Sequence, residues 1–170
     1  MRAIQNLAQL TLDEFLNVGD TAIDGTIKRG DVTRFLASRV GDTGKVLAFS
    51  DNKKEIDDVA TSLFLSGLHD RVDIISQDFT AILAHLDPTH PIGAAMFQVD
   101  AETDQTALLN TIKSLLMGLK DHGMLLILTN DATDITELES YAKALPANAY
   151  GVQKLSDLLS NETALLIQRL

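Results

Sequence analysis

Two stretches near the end of the chain, Ala149-Tyr150-Gly151-Val152-Gln153-Lys154 and Thr163-Ala164-Leu165-Leu166-Ile167-Gln168, decide its fold class. Both read as strands, and residues 155–162 between them show no clear helical pattern. Parallel neighbours need a long crossover, so two strands joined this closely imply an antiparallel partner at the edge of a sheet. The rest of the chain follows the opposite rule. Thr21–Asp24, Lys45–Phe49 and residues 71–76, 94–99 and 124–129 read as short buried strands, each separated from the next by a helical pattern. Strands alternating with helices imply right-handed crossovers and a mainly parallel sheet.

The helices are legible from their apolar spacing. Ile4, Leu7, Ala8, Leu12, Phe15 and Leu16 share one face of an N-terminal helix, with Gly19 placed to end it. Asp31 is placed to cap a helix carrying Val32, Phe35, Leu36 and Val40, and Asp51 or Asn52 to cap the one carrying Ile56, Val59, Ala60 and Leu63. A short helix over residues 79–86, a long one carrying Leu108, Ile112, Leu115 and Leu119, and one carrying Ile135, Leu138, Tyr141 and Leu145 complete the series. The expected organisation is one domain over residues 1–170, with residues 1–18 forming a helix that packs on the sheet.

Composition narrows the function. The chain has 170 residues, of which 45% are apolar, 22% charged and 5% aromatic, as expected for a folded core of Leu, Ile, Val and Ala. A net charge of -10 repels phosphate backbones and anionic lipids. Lys28, Arg29 and Arg34 form the one candidate basic patch. With no cysteine there are no disulfides, thiolate zinc sites or cysteine nucleophiles. That, with no visible signal peptide, makes the cytoplasm the expected location. The longest apolar stretch, near residues 124–128, is too short to span a bilayer, so no membrane partner is expected. His69, His85, His90 and His122 are scattered without metal-ligand spacing, so no metal is expected. Thr26 and Ser50 have no visible histidine partner, which leaves a nucleophile triad without support.

A doubly wound parallel sheet with a terminal antiparallel strand is the arrangement of class I methyltransferases, and particular residues extend the likeness. Val18-Gly19-Asp20-Thr21-Ala22-Ile23-Asp24-Gly25-Thr26, then Gly30 and Thr33-Arg34-Phe35-Leu36-Ala37, is similar to the first motif of small bacterial rRNA-methylase-like proteins. Gly44-Lys45-Val46-Leu47-Ala48-Phe49, Ala94-Ala95-Met96-Phe97 and Thr163-Ala164-Leu165-Leu166-Ile167 fit the same spacing. The resemblance, from about residue 19 to the end, implies an α/β, Rossmann-like class I methyltransferase fold. Its sheet would be mostly parallel and seven-stranded, with a terminal antiparallel strand and helices on both faces. It implies S-adenosylmethionine as cofactor. An RNA acceptor follows from the resemblance alone, and a homodimer is an expectation that nothing in the sequence decides.

The same resemblance nominates the cofactor site. Asp24, Gly25, Thr26 and Gly30 would form the loop beside the methionine part, Asp51 with Asn52 would meet the ribose, Gln77 and Asp78 the adenine, and Gln98 the methyl-transfer site. The motifs also depart from the family pattern. Lys28 replaces a loop glycine, Arg29 an asparagine and Val32 an aspartate. Lys28 brings bulk and positive charge to where the cofactor carries its sulfonium. Ser50 stands where the family has the ribose-binding acid, with Asp51 one residue late, and Gln98-Val99-Asp100-Ala101 replaces an Asn-Leu-Gly-Tyr-type sequence. Plainer roles compete: Asp24 as a loop-ordering acid, Asp51 as a helix cap, Lys28 and Arg29 as a solvated loop. No catalytic residue is nominated, because methyl transfer rests mostly on positioning the donor against a nucleophile. Three expectations follow: an active or weakly active methyltransferase, a non-catalytic binding module on the same fold, and an anion or nucleotide binder using Lys28 and Arg29. An open cleft beside Lys28 would favour the first, a filled one the second.

Overall fold

A computed structural model describes residues 1–129 and 133–170. Its centre is a seven-stranded sheet in the order β3-β2-β1-β4-β5-β7-β6. The strands are β1 (Thr21–Asp24), β2 (Lys45–Phe49), β3 (Val72–Ile75), β4 (Ile92–Val99), β5 (Leu119–Thr129), β6 (Tyr150–Ser156) and β7 (Thr163–Arg169). The first five run parallel, and β7 runs antiparallel to both β5 and β6. The central strands are buried on both faces, as crossover helices require.

Helices α1 (Ile4–Asp13), α2 (Asp31–Val40) and α3 (Lys53–Leu65) cover one face. There Ala8, Leu12, Leu36 and Leu63 meet alternate strand residues such as Ala48, Met96 and Leu126. A 3₁₀ helix (Phe79–His85), α4 (Gln105–Met117) and α5 (Thr136–Lys143) cover the other, where Ile82, Leu108, Ile112 and Leu138 meet Phe49, Phe97 and Ile127. The period-2 alternation of the strands thus feeds two separate cores.

The antiparallel pair lies at the edge of the sheet as expected, with β6 outermost and β7 between it and β5. Burial explains the choice, because Ala164 to Ile167 are all buried whereas β6 is largely exposed, so the more apolar strand of the hairpin takes the interior. The structure corrects the sequence reading at two boundaries. Strand β5 starts at Leu119 rather than residue 124, since Leu119 pairs with Ile92 ahead of an irregularity containing His122 at φ 65°. Helix α2 begins at Asp31 itself, and the cap position belongs to Gly30, at φ 87°. Glycine tolerates that left-handed turn, and Asp31 sits in the first turn, where its charge complements the helix dipole. Among the described residues no helix is long and apolar enough to cross a membrane.

Candidate functional site

The carboxyl ends of β1, β2, β3 and β4 converge on one cleft, and the loop after β1 sets its shape. Asp24 closes β1 and is almost completely buried. Its Oδ1 accepts the Thr26 N–H at 3.1 Å and its Oδ2 the Thr33 hydroxyl at 2.6 Å. Burial pushes the Asp24 carboxyl up to about 6; the two hydrogen bonds pull it down, while Asp31 and Glu55 add to the rise. Gly25 donates its N–H to Met96 O, and a Cβ there would run into the Phe97 ring. The Thr26 hydroxyl accepts the Gln98 N–H at 2.6 Å, and Ile27 N–H bonds Phe49 O. The loop is therefore stitched to the strands on both sides.

The end of β2 is organised by Ser50. Its hydroxyl donates to Glu55 Oε1 at 3.0 Å and accepts the Asn52 N–H at 3.0 Å. Asn52 caps α3, accepting the Glu55 N–H at 3.1 Å, which leaves Asp51 exposed beside the cleft. After β3, Asp78 caps the 3₁₀ helix by accepting the N–H and hydroxyl of Thr80. After β4, Asp100 accepts the Glu102 N–H at 2.9 Å and the Thr103 hydroxyl at 3.2 Å. Lys28 reaches across from the β1 loop, its Nζ 3.0 Å from Asp100 Oδ2. Burial raises the Asp100 carboxyl, but Lys28 and the two local donors outweigh it and hold the group below the usual carboxylate range.

These elements enclose an open cleft of about 270 Å³. Ile27, Phe49 and Phe79 give it apolar wall, and it is lined by Asp51, Glu55, Asp78, Asp100, Glu102 and Asp104 with Lys28 as the one lining cation among the described residues. Of the residues nominated from sequence, Gly25, Thr26, Asp51 and Asp78 line the cleft. Asp24 lies behind the wall and orders the loop. Gly30 starts α2, and Asn52 caps α3. Gln98 reaches Thr26 through its backbone N–H, and Gln77 Oε1 turns to His85 Nε2 at 3.2 Å; these four lie outside the wall. The basic patch is not assembled: Lys28 pairs with Asp100, Arg34 with Ser62 Oγ at 2.6 Å, and Arg29 is exposed. Sequence reasoning missed Glu55, Phe79, Thr80 and Thr103 as lining residues. Glu55 had one signal, its position three residues beyond the Asn52 cap, in the first turn of α3.

No protein-family model matches the chain, and neither does any curated protein. Solved structures do. An rRNA methylase from Streptococcus thermophilus superposes with a TM-score of 0.87 at 19% identity, over 100% of this chain and 98% of that one. A Clostridium thermocellum protein assigned as an rRNA methylase gives 0.90 at 21% identity, over 100% and 97%. A Streptococcus mutans protein assigned as a methyltransferase, in complex with S-adenosylhomocysteine, gives 0.87 at 22% identity, over 100% and 99%. The fold of this chain is thus the Rossmann-like fold of class I methyltransferases.

Proposed function

We propose that this chain is an S-adenosylmethionine-dependent methyltransferase whose cofactor lies along the carboxyl ends of β1 to β4. The observation that carries the reading is the open cleft there, with the Gly25–Thr26 backbone as one wall and Lys28 beside free space rather than filling it. Ligands in open α/β sheets bind at this end of the strands. The volume of about 270 Å³ falls just below the usual range for organic ligands, about 300–1,000 Å³, and the cleft is open to solvent on one side.

The lining fits the chemical parts of such a cofactor. Phe49, Phe79 and Ile27 supply apolar surface for an adenine ring. The ribose acid absent at position 50 has replacements in Asp51 and Glu55, whose carboxylates suit vicinal hydroxyls. Gly25, lacking a Cβ, keeps the loop close to β4. When bound, the cofactor supplies an electrophilic methyl group; the protein's part is to hold it in line with the acceptor. The acidic rim works against a polyanion, so the reading favours a small acceptor over an RNA. A cytoplasmic location and a homodimer belong to the same reading. The outer edge of β6 has no strand partner among the described residues, which leaves room for a second copy.

Calorimetric titration with S-adenosylmethionine and S-adenosylhomocysteine tests the reading. Micromolar binding of either ligand supports it, and methyl transfer to candidate acceptors then follows as an assay. No heat at millimolar ligand, from protein shown to be folded, overturns it and leaves a binding module on a methyltransferase fold.

A further inference from the structure

The two edges of the sheet are guarded differently. Strand β3 is four residues long, and its exposed Asp73 pairs with Lys45 at 2.7 Å. Strand β6 is seven residues long, contains no proline, and pairs with β7 from Tyr150 to Ser156 without a register shift. Its one charged residue, Lys154, is drawn to Glu139 of α5 at 2.7 Å. Short strands, free charges, prolines and bulges keep an open edge from pairing, and β6 has none of them.

Two apolar features flank this edge. Between α5 and β6 runs a groove of about 380 Å³ lined by Ala142, Leu145, Ala147, Tyr150, Val152 and Leu165. Past the end of β6, the turn before β7 presents Leu158 and Leu159, 93% and 95% exposed. That turn is held in shape: Asp157 accepts the N–H groups of Leu159 and Ser160, both at 2.8 Å, and donates its own N–H to Glu162 O. A fixed pair of exposed leucines is an apolar knob, and the groove is a hole of matching chemistry.

Building on the homodimer reading above, and independently of the cofactor, we infer that β6 pairs antiparallel with β6 of a second copy, each copy seating Leu158 and Leu159 in its partner's α5–β6 groove. Pairing about Gln153 sets Ser156 opposite the partner's Tyr150 and Leu159 level with the partner's Ala147, at the groove. A two-fold axis normal to the sheet keeps both α5 helices on one face, and the same patch on each copy closes the assembly at two. Lys143 lines the groove without an ion-pair partner among the described residues, and offers the incoming Asp157 a counter-charge. Stable interfaces bury about 800 Å² per partner, more than two leucines supply, so strand, knob and groove act together.

Light scattering coupled to gel filtration of the full chain, over a dilution series, tests this. Wild type has twice the 18.5 kDa mass of one chain. Leu158→Ser/Leu159→Ser and Val152→Lys each weaken the dimer by about tenfold or more, the scale of losing an interface anchor. Circular dichroism stays unchanged, because these side chains face solvent in the single chain. The chain has no cysteine, so Gln153→Cys under mild oxidation links two chains at the cross-strand spacing a disulfide spans, whereas Ala60→Cys on α3 does not. A wild-type monomer throughout the series overturns this interface and the homodimer reading with it. A dimer that either set of substitutions leaves intact, or that Gln153→Cys fails to link, overturns the interface and leaves a homodimer formed elsewhere.

Discussion

Thr33, in the first turn of α2, donates its hydroxyl to Asp24 at the end of β1 across 2.6 Å, and both side chains are out of contact with solvent. The bond ties the helix start to the strand end, and Asp24 also holds the Thr26 N–H. One buried carboxylate therefore sets the course of the whole loop that walls the cleft. It does so at a cost, since burial disfavours its charged form.

That cost has a pH signature. The Asp24 carboxyl, ordinarily at 3.8, is raised to about 6 by burial. Below about pH 3 it is protonated whether the chain is folded or not. Between 4 and 6 the unfolded chain gives up its proton while the folded chain keeps it, so this group's contribution to stability falls as pH rises and then levels off. The full deficit is on the order of 3 kcal/mol, at about 1.4 kcal/mol per pH unit. Asp24→Asn cannot ionise, so its stability relative to wild type rises from pH 4.5 to pH 7 by about 2 kcal/mol, the part of that deficit developed over this range. Urea denaturation at the two pH values measures it, and a pH-independent difference contradicts the assignment.

Gly25 is required by the ring behind it. Its missing Cβ leaves room for Phe97, itself fully buried between β4 and α4. Gly25→Ala is expected to destabilise the fold by about 1–3 kcal/mol, the cost of overpacking a dense core. Phe97→Leu in the same chain should recover part of the loss. Thermal denaturation of the single and double variants checks this, and strictly additive losses would show that the two positions are not coupled.

Asp51 separates binding from stability. It is exposed and lines the cleft, while the cap of α3 is Asn52. Asp51→Ala should leave folding stability within about 0.5 kcal/mol of wild type. It should also weaken S-adenosylhomocysteine by about tenfold, the effect of losing a charged acceptor for a hydroxyl. Unchanged affinity would shift the ribose role to Glu55 alone.

Much of this was legible in the residues. Apolar spacing located the five α-helices and seven strands of the described residues, though not the short 3₁₀ turn at His69–Arg71, and the position of Asp24 at a strand end marked the loop to watch. What escaped depends on distance or on competition between equals. Lys28 and Asp100 are far apart in the chain, so their pairing has no local signature. Both strands of the final hairpin read as strands, and only the total burial of Ala164 to Ile167 shows which one enters the sheet. Ser50 looked like a lost acid, yet its hydroxyl bonds the Glu55 carboxylate, which reaches the cleft from the first turn of α3. Gln77 stands beside Asp78 just past a strand end, where a side chain can turn either way, and it turns to His85.

The most direct measurement is an amide NMR titration of the folded protein with S-adenosylhomocysteine. The account predicts that the resonances of Gly25, Thr26, Lys28, Asp51, Thr80 and Thr103 shift together in a saturable way, while those of Gly19, Thr43 and Gly118 at the opposite end of the strands stay in place. No shifts at saturating ligand, or shifts confined to that opposite end, would contradict it.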